Sequence, residues 1–292
     1  MNYKKPTKAV ITDAGFASRF LPLTKTMPKG MLPLDNKPIM QYCVEECVEA
    51  GIEEIIIVAT AEGKPIYEDY FNNAVVPIKK QLEIQGKEDR YEVVQRILDF
   101  PKITVIEQDP ALPYGTASPI ISARSFLSPD EAFISMQADD VVFNTSDAKT
   151  MVEVFEKTPD IKGVIMGQEV DRSVVNKYGI IVMKNNNELD HIIEKPKVGE
   201  EPSLLASYGR YLLTPEVFEY LDETGLDNEL WLVDGITKLA ERSKVLVEPT
   251  KGQWMTTGDP KNYFLASLKY SLDNEPDWID DIKNTGHSGH GS

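Results

Sequence analysis

The order of strand, helix and strand within residues 8–60 requires a parallel sheet. Lys8–Thr12 is a short apolar run that predicts a strand, and Glu54–Thr60 is β-branched and almost continuously apolar, as in a strand covered on both faces. Between them, Pro38 and an apolar face that stops at Gly51 predict a helix. Two such strands joined through a helix run parallel, with a right-handed crossover.

The rest of the chain first continues this alternation and then changes to antiparallel strands. Residues 62–100 have helical spacing, with a candidate buried stripe of Val93, Val94, Ile97 and Leu98. Strands are predicted at Ile103–Glu107, Ala132–Gln137 and Gly163–Met166, with a helix starting near Ala117. Later elements are a hairpin of Gly179–Met183 and Leu189–Glu194 around Asn185–Asn187, a strand at Ser207–Leu213 and a closing helix at 261–272.

These elements predict an α/β fold with a Rossmann-like, mixed and mostly parallel central sheet flanked by helices. The antiparallel strands of the second half join the same sheet, so we expect a single domain over residues 1–283. After Asn284 and Thr285, residues 286–292 are all Gly, Ser or His, and we expect a disordered tail over 284–292.

The charge balance excludes one class of partner. With 31 basic and 47 acidic residues the net charge is −16, whereas a general nucleic-acid binder needs a cationic surface. A nucleotide-binding pocket is still compatible, because it needs only a few local cations. No apolar run reaches the ~18 to 20 residues of a membrane span, and residues 1–6 contain no apolar signal segment. We expect a soluble cytoplasmic protein.

Cysteine and histidine are too sparse for several kinds of chemistry. Cys43 and Cys47 are the two cysteines, four apart on an apolar helix face, and His191 is the only histidine outside the tail. A zinc site needs further ligands, so both cysteines are predicted to be core residues. No disulfide framework, structural zinc or histidine-dependent catalysis is expected.

The loop after the first strand combines small residues with cations. Ala14 and Gly15 leave backbone N–H groups open to an anion, and Arg19 and Lys29 add positive charge. A surface loop with solvated lysines would have the same composition. Because parallel sheets bind ligands at the carboxyl edge of their strands, a phosphate site is favoured.

This loop carries a family resemblance. Residues 14–33, AGFASRFLPLTKTMPKGMLP, resemble the signature A-G-x-G-T-R-x-L-P-x-T-K-x-x-P-K-E-M-L-P of bacterial UTP–glucose-1-phosphate uridylyltransferases, which are sugar-phosphate nucleotidyltransferases. Residues 37–42 are similar to the K-P-x-I-Q-Y of that family. The resemblance extends over roughly residues 7 to 270, with the other motifs in family order.

The resemblance implies transfer of a uridylyl group from UTP to glucose 1-phosphate, with Mg²⁺, in a homodimer or homotetramer. It implies a nucleotide-binding part at about 7–145 and a sugar-phosphate-binding part at about 146–260. Arg19 and Lys29 would hold the triphosphate, Asp139 would bind the metal, and Lys195 would position the sugar phosphate. The implied substrate-binding residues are Ala14, Gly15, Gln108, Gly115, Gly179, Glu194 and Gly209.

Each of these motifs also has an ordinary structural interpretation. Gln108 can pair with the imide edge of uracil, and Gly115 would let backbone approach the base, but an ordinary loop into a helix looks the same. Asp139 has the hard oxygen donors that Mg²⁺ prefers, but paired Asp residues after a strand also form turns. Glu194 and Lys195 resemble the E-K-P motif, although neighbouring Glu and Lys are usually just solvated.

Several positions inside the motifs differ from the family. Ala17 and Gly30 stand where the signature has Gly and Glu, and Gln137–Ala138 replaces an apolar–Gly or apolar–Pro step. Thr256 occupies the place of an Asp that in relatives is a second metal carboxylate. Residues 228–234, NELWLVD, are similar to E-I-Q-L-T-D with Trp and Val for Gln and Thr, and would line either a subunit interface or the pocket.

These differences leave three hypotheses open. The protein is either an active enzyme or a weakened paralogue that binds nucleotide or sugar phosphate in a regulatory role. A relative that uses dTTP or another sugar 1-phosphate is the third. The retained charges of Arg19, Lys29, Asp139, Glu194 and Lys195 favour activity.

Overall fold

The structure is a computed structural model and describes residues 3–185, 187–222 and 229–274. The strands are β1 Lys4–Asp13, β2 Pro33–Leu34, β3 Lys37–Pro38, β4 Glu54–Ala59, β5 Lys102–Glu107, β6 Glu131–Gln137, β7 Asp140–Phe143, β8 Ile161–Glu169, β9 Gly179–Asn185, β10 Glu188–Glu194, β11 Leu205–Leu213, β12 Lys244–Pro249 and β13 Gln253–Thr256. The predicted tail at 284–292, the middle of the predicted turn at 186 and the first residue of segment 228–234 lie outside the described residues.

The helices are α1 Ile39–Glu49, α2 Lys64–Asn72, α3 Val76–Gln85, α4 Glu92–Leu98, α5 Ser118–Ala123, α6 Asp147–Lys157, α7 Val217–Asp222, α8 Leu232–Arg242 and α9 Pro260–Asn274. Short 3-10 helices cover Ser18–Phe20, Leu23–Lys25, Lys29–Met31, Glu88–Tyr91, Arg124–Phe126 and Arg172–Lys177. None of the helices in the described ranges is long and apolar enough to cross a bilayer.

Nine of the described strands form one mixed sheet in the order β5-β4-β1-β6-β11-β8-β12-β10-β9. Strand β1 pairs in parallel with β4 and β6, whereas β11 runs antiparallel to both β6 and β8. The hairpin β9–β10 is antiparallel, as predicted. The expected α/β fold with a mostly parallel first half and antiparallel additions is therefore confirmed.

The sheet is covered on both faces, which explains its apolar strands. Along β1, Ala9 and Ile11 pack into one buried cluster with α1, and Val10 packs into the other cluster with α5. Cys43 and Cys47 of α1 are fully buried free thiols in the first cluster, so the prediction of two core cysteines is confirmed. Such two-sided coverage is typical of parallel sheets.

The predicted buried stripe of α4 is wrong in part. Val93 is 61% exposed, and Val94, Ile97 and Leu98 are only partly buried. The reason is the position of the helix: α4 has seven residues and packs beside α2 near β5, the last strand at that end of the sheet. The sheet therefore offers it little surface, and Ile97 alone of the four packs against the first cluster.

Candidate active site

A cleft of about 460 Å³ lies where β1 and β6 end and extends across β9, β10 and β11. It contains six of the residues that the sequence singles out: Arg19, Asp139, Gly179, Glu194, Lys195 and Gly209. The cleft therefore joins residues of the predicted nucleotide part and of the predicted sugar-phosphate part. It lies at the carboxyl edge of the parallel strands, where ligands of such sheets bind.

Lys29 does not itself line this cleft, but it forms a partly buried ion pair with Asp139, which does. The Lys29 Nζ lies 2.6 Å from Asp139 Oδ2, with side chains 15% and 25% exposed. Burial alone would lower the pKa of Lys29, but the charges of Asp139 and Asp13 raise it above its ordinary value. Burial opposes ionisation of Asp139 too, and the pKa of this carboxyl is lowered because Lys29 is so close. The Lys29 ammonium and the Asp139 carboxylate are therefore both charged.

Asp13 is a buried carboxylate beside the site, outside the cleft lining, that the sequence did not single out. It ends β1, is 6% exposed, and its Oδ2 accepts hydrogen bonds from the Gly30 N–H at 2.8 Å and from the Tyr67 hydroxyl at 2.5 Å. Burial raises the pKa of the Asp13 carboxyl, while Lys29 and both donors act in the opposite direction. An acidic residue at the end of an otherwise apolar strand was the available signal.

The carboxyl groups of Asp139 and Asp140 have different partners. Asp140 Oδ1 accepts a hydrogen bond from Trp254 Nε1 at 2.7 Å, and burial together with the charge of Asp139 raises the pKa of Asp140. Asp140 opens β7, which pairs with β13, so that Thr256 lies directly opposite it. Both carboxylates line the cleft, but Asp140 is bonded to Trp254 whereas Asp139 is paired with Lys29.

Thr256 lies close to Asp139, in the wall of the cleft. A Cβ placed on Gly258 would be 3.1 Å from Asp139 Oδ2 and 3.5 Å from Thr256 Oγ1, so both oxygens lie on one side of that glycine. The next residue fixes this arrangement, because the Thr257 N–H and the Thr257 hydroxyl donate to Asp139 O at 2.6 Å and 2.9 Å. The Thr256 hydroxyl thus lies beside the Asp139 carboxylate and adds no charge.

The carboxylate of Asp139 fits a magnesium ion. The described part of the chain holds no group of three or more His, Cys, Asp or Glu residues arranged to bind a metal. Mg²⁺, however, usually binds to one or two carboxylates, with water and substrate phosphates completing its shell. Asp139 lines the cleft and offers such oxygens.

Glu194 and Lys195 form the other end of the cleft. Lys195 Nζ lies 3.0 Å from Glu194 Oε1 and 4.5 Å from the centre of the Trp231 ring. The Lys195 N–H donates to Tyr178 O at 3.0 Å, and its backbone is left-handed with φ of 47°. With this backbone conformation, the Lys195 side chain lines the cleft.

Gly179 and Gly209 are glycines because side chains already fill the space beside them. Gly179 pairs with Glu194, and a Cβ there would lie 3.0 Å from Glu194 Oε2. Gly209 has a positive φ of 77°, and a Cβ would come within 2.8 Å of the Gln137 side chain. Both positions therefore keep the sides of the cleft close together.

Arg210 holds the segment that carries Asp139. It is completely buried, and its guanidinium donates to Asp140 O at 2.6 Å and to Gln137 O at 3.1 Å. Its charge is compensated by Glu46 of α1, 3.2 Å away. The two carbonyls flank Asp139, so a residue on β11 fixes a loop that follows β6.

The structure does not bring all the predicted residues to the cleft. Ala14 and Gly15 lie in the loop after β1 and Gln108 just after β5, and these three do not line the cleft as it stands. The backbone N–H of Gln108 donates to Ala59 O at 2.9 Å and extends the pairing of β4 with β5. Their assignment to substrate binding stays a prediction.

Gly115 also lies outside the cleft lining, its role at the base stays a prediction, and the structure gives this glycine a packing reason. A Cβ there would overlap the backbone of Leu230, whose N–H and carbonyl bond to Tyr114 O and the Ala117 N–H, each at 2.9 Å. Because Gly115 has no side chain, the backbone of Leu230 can pack directly against it. Thr116, the next residue, lines the cleft and accepts a hydrogen bond from the Leu232 N–H at 3.0 Å.

Three substitutions relative to the family motifs acquire a location. Trp231 and Val233 line the cleft, so of the two places considered for their segment the structure supports the pocket wall. Ala17 adopts a left-handed conformation with φ of 43° and ψ of 45°, which glycine adopts at lower cost. Trp231 and Val233 make the cleft wall less polar, and Ala17 strains the loop that follows β1.

Comparisons with known proteins agree with this geometry. The family model described as nucleotidyl transferase matches residues 8–272. The chain is 38% identical to a UTP–glucose-1-phosphate uridylyltransferase of Staphylococcus epidermidis, over 96% of this chain and 97% of the relative. It is 37% identical to the protein of that name from Bacillus subtilis, over 92% of each chain.

A solved structure gives the same result in three dimensions. The fold is similar to the crystal structure of a UDP-glucose pyrophosphorylase complexed with UDP-glucose, with a TM-score of 0.80 and 31% identity, covering 92% of this chain and all of the other. Proteins of this kind generally use a divalent metal ion. The chain therefore belongs to the nucleotidyl transferase family, among the UTP–glucose-1-phosphate uridylyltransferases.

Proposed function

We propose that this protein joins UTP and glucose 1-phosphate to form UDP-glucose and pyrophosphate. The observation that carries the proposal is the single cleft in which Arg19 and Asp139 stand opposite Glu194 and Lys195. Two phosphate-bearing substrates bound there would meet between cations from both parts of the chain. The names of the relatives at 37% and 38% identity support the choice of substrates.

The reaction is an in-line displacement at phosphorus. An oxygen of the sugar phosphate attacks the α-phosphorus of UTP while the bond to pyrophosphate breaks, so no covalent enzyme intermediate forms. Catalysis then consists of aligning two anions that repel each other and of neutralising the charge that moves onto pyrophosphate. Arg19 and Lys29 hold the triphosphate, and Lys195 positions the attacking phosphate.

Asp139 is the residue that would hold Mg²⁺, with Thr256 beside it. When bound, the ion supplies charge neutralisation and orientation of phosphate oxygens. The chain's own contribution is to keep Asp139 ionised through Lys29 and fixed through the carbonyls that Arg210 binds. The homo-oligomeric state and the cytoplasmic location stay predictions.

Pyrophosphate release tests the proposal directly. The protein is mixed with UTP, glucose 1-phosphate and magnesium, with dTTP and with other sugar 1-phosphates as parallel reactions. Turnover selective for UTP and glucose 1-phosphate supports the proposal, and selective turnover of another pair would replace the substrates while keeping the chemistry.

The second candidate is a paralogue with little activity that binds the same ligands. Thr256 favours it, because the hydroxyl beside Asp139 brings no second carboxylate. A folded protein that binds UTP in calorimetry and yet releases no pyrophosphate from any pair would establish this candidate instead.

Replacing Lys195 by alanine is expected to raise KM for glucose 1-phosphate by about tenfold or more and KM for UTP by less than about threefold, because a lost charge-assisted hydrogen bond affects the ligand that it touches. Steady-state kinetics with each substrate varied in turn gives both values. Lys197→Ala is the matched control, since Lys197 is a lysine of the same exposed turn that does not line the cleft. Equal increases for the two substrates would contradict the assignment.

Replacing Thr256 by aspartate is expected to lower the magnesium concentration for half-maximal rate by about three- to tenfold. The new carboxylate would stand beside Asp139, and added negative oxygen ligands strengthen the binding of hard cations. Thr256→Asn has the same shape without the charge and should not shift the magnesium requirement. An unchanged requirement in the aspartate variant would remove Thr256 from the metal site.

A further inference from the structure

We propose that Trp231 is a positioning residue for Lys195, and that its indole ring holds the ammonium group where the phosphate of glucose 1-phosphate binds. The inference rests on the proposed function, because it concerns the lysine that is assigned there to the sugar phosphate. Trp231 stands where the family motif has a glutamine, and both Trp231 and Lys195 line the cleft. The replacement gives the cleft an aromatic face that a glutamine cannot supply.

The first argument is the contact between the ammonium group and the ring. Lys195 Nζ lies 4.5 Å from the centre of the Trp231 ring. The face of an aromatic ring carries partial negative charge, and tryptophan attracts cations more strongly than tyrosine or phenylalanine does. The Lys195 side chain is 48% exposed, so without such a contact it would sample many rotamers. The ring therefore lowers the entropy cost of placing the ammonium group on a phosphate.

The second argument is that the ring stands on a fixed backbone. On one side of Trp231, the Leu230 N–H donates to Tyr114 O at 2.9 Å, and on the other the Leu232 N–H donates to Thr116 Oγ1 at 3.0 Å. Leu230 and Leu232 are each only 2% exposed, so both neighbours of Trp231 are anchored in the core. An aromatic ring on such a backbone can restrict a flexible lysine.

The third argument is that the contact leaves the ammonium group able to bind phosphate. An ammonium group has three N–H donors. One side of the Lys195 ammonium faces Glu194 Oε1 at 3.0 Å and another faces the Trp231 ring, so a third donor is left for a phosphate oxygen. Glu194 is itself assigned to substrate binding. In the proposed complex the ring is therefore the contact of Lys195 that does not compete with substrate.

The alternative is that Trp231 only fills the wall of the cleft. In that case its loss affects UTP and glucose 1-phosphate alike, and it adds to the loss caused by Lys195→Ala. If the ring acts through Lys195, its loss matters only while the lysine is present. A double-mutant cycle on the two residues separates these alternatives, because it measures whether their effects add.

Trp231→Leu is the decisive variant, because it retains an apolar wall and removes the aromatic face. We expect KM for glucose 1-phosphate to rise about fivefold and KM for UTP to stay within about twofold, as measured by steady-state kinetics. Trp231→Phe retains an aromatic face and should stay within about twofold of the wild type for both substrates. Trp231→Leu combined with Lys195→Ala should have the KM of Lys195→Ala alone, within about twofold.

Phe126→Leu is the matched control for the loss of an aromatic ring. Phe126 is exposed, and its carbonyl accepts a hydrogen bond from Lys8 Nζ at 2.6 Å. Lys8 lies before the end of β1, and neither residue lines the cleft. Both KM values should be unchanged in this variant. Trp231→Met is a second ring-free variant with the same expected result as Trp231→Leu, and melting temperatures identify which variants are folded.

Three results would overturn the inference. The first is a KM for glucose 1-phosphate that is unchanged or lower in a folded ring-free variant. The second is a Trp231→Phe protein as impaired as Trp231→Leu, and the third is a double variant about fivefold worse than Lys195→Ala.

A wild-type protein without turnover would contradict the proposed function and not this inference. Calorimetry with glucose 1-phosphate would then decide, with about fivefold weaker binding by Trp231→Leu as the expected result. Equal affinities of the two proteins, or no binding by the wild type, would overturn the inference.

Discussion

Replacing Asp139 by asparagine is expected to lower kcat for pyrophosphate release about a thousandfold. Two effects combine in this loss: the ion pair with Lys29 at 2.6 Å is removed, and so is the carboxylate that faces the ligands. Removal of one group that stabilises developing charge commonly costs about a hundred- to a thousandfold, and here the metal ligand is lost as well. Stopped reactions at saturating substrates and magnesium measure the effect.

Asp140→Asn provides the control for this experiment. Asp140 is the next carboxylate along the chain, but its side chain bonds to Trp254 inside the protein, and the asparagine oxygen can keep that bond. We expect a loss of less than about tenfold, since the Asp140 carboxyl group is already engaged by Trp254. Losses of equal size in the two variants would contradict the assignment of the metal to Asp139.

Replacing Arg210 by methionine is expected to lower the free energy of unfolding by about 3 to 5 kcal/mol. The substitution leaves Glu46 as a buried charge without its partner, and breaking a buried pair from one side has costs of this order. The carbonyls of Gln137 and Asp140 lose a donor at the same time. Urea unfolding, followed by fluorescence, gives the difference.

The same substitution at an exposed arginine supplies the reference. Arg96 pairs with Glu92 on the surface at 3.8 Å, so Arg96→Met should change the free energy of unfolding by less than about 0.5 kcal/mol. Adding Glu46→Gln to Arg210→Met should return part of the lost stability, because the unpaired charge is gone. A difference below about 1 kcal/mol between Arg210→Met and the wild type would show that water or another cation compensates Glu46.

Most of the fold could be predicted because its information is local. The alternation of apolar strands with a helix in residues 8–60 is enough to specify a parallel pair, and the hairpin at 179–194 is specified by its polar turn. The error at Val93 has the opposite origin. Apolar spacing gives the face of a helix, but it contains no information on whether a helix lies over the sheet or beside its last strand.

The candidate site was predictable to the extent that motifs mark chain positions. Arg19, Asp139, Glu194 and Lys195 do meet in one cleft. The contacts between distant positions were not predictable: Lys29 with Asp139, Asp13 with Tyr67, and Gly115 with the backbone of Leu230. Such pairs depend on the register and packing of elements far apart in sequence, which a motif does not encode.

Strand β6 has a consequence for how substrates enter and leave. It pairs in parallel with β1 on one side and, from Phe133 to Met136, in antiparallel fashion with β11 on the other. A hinge between the nucleotide and sugar-phosphate sides would have to break this continuous ladder of backbone hydrogen bonds. We therefore expect substrate exchange to proceed by rearrangement of side chains and loops at the mouth of the cleft. For the same reason, cutting the gene between codons 145 and 146 should give two fragments that regain structure only together.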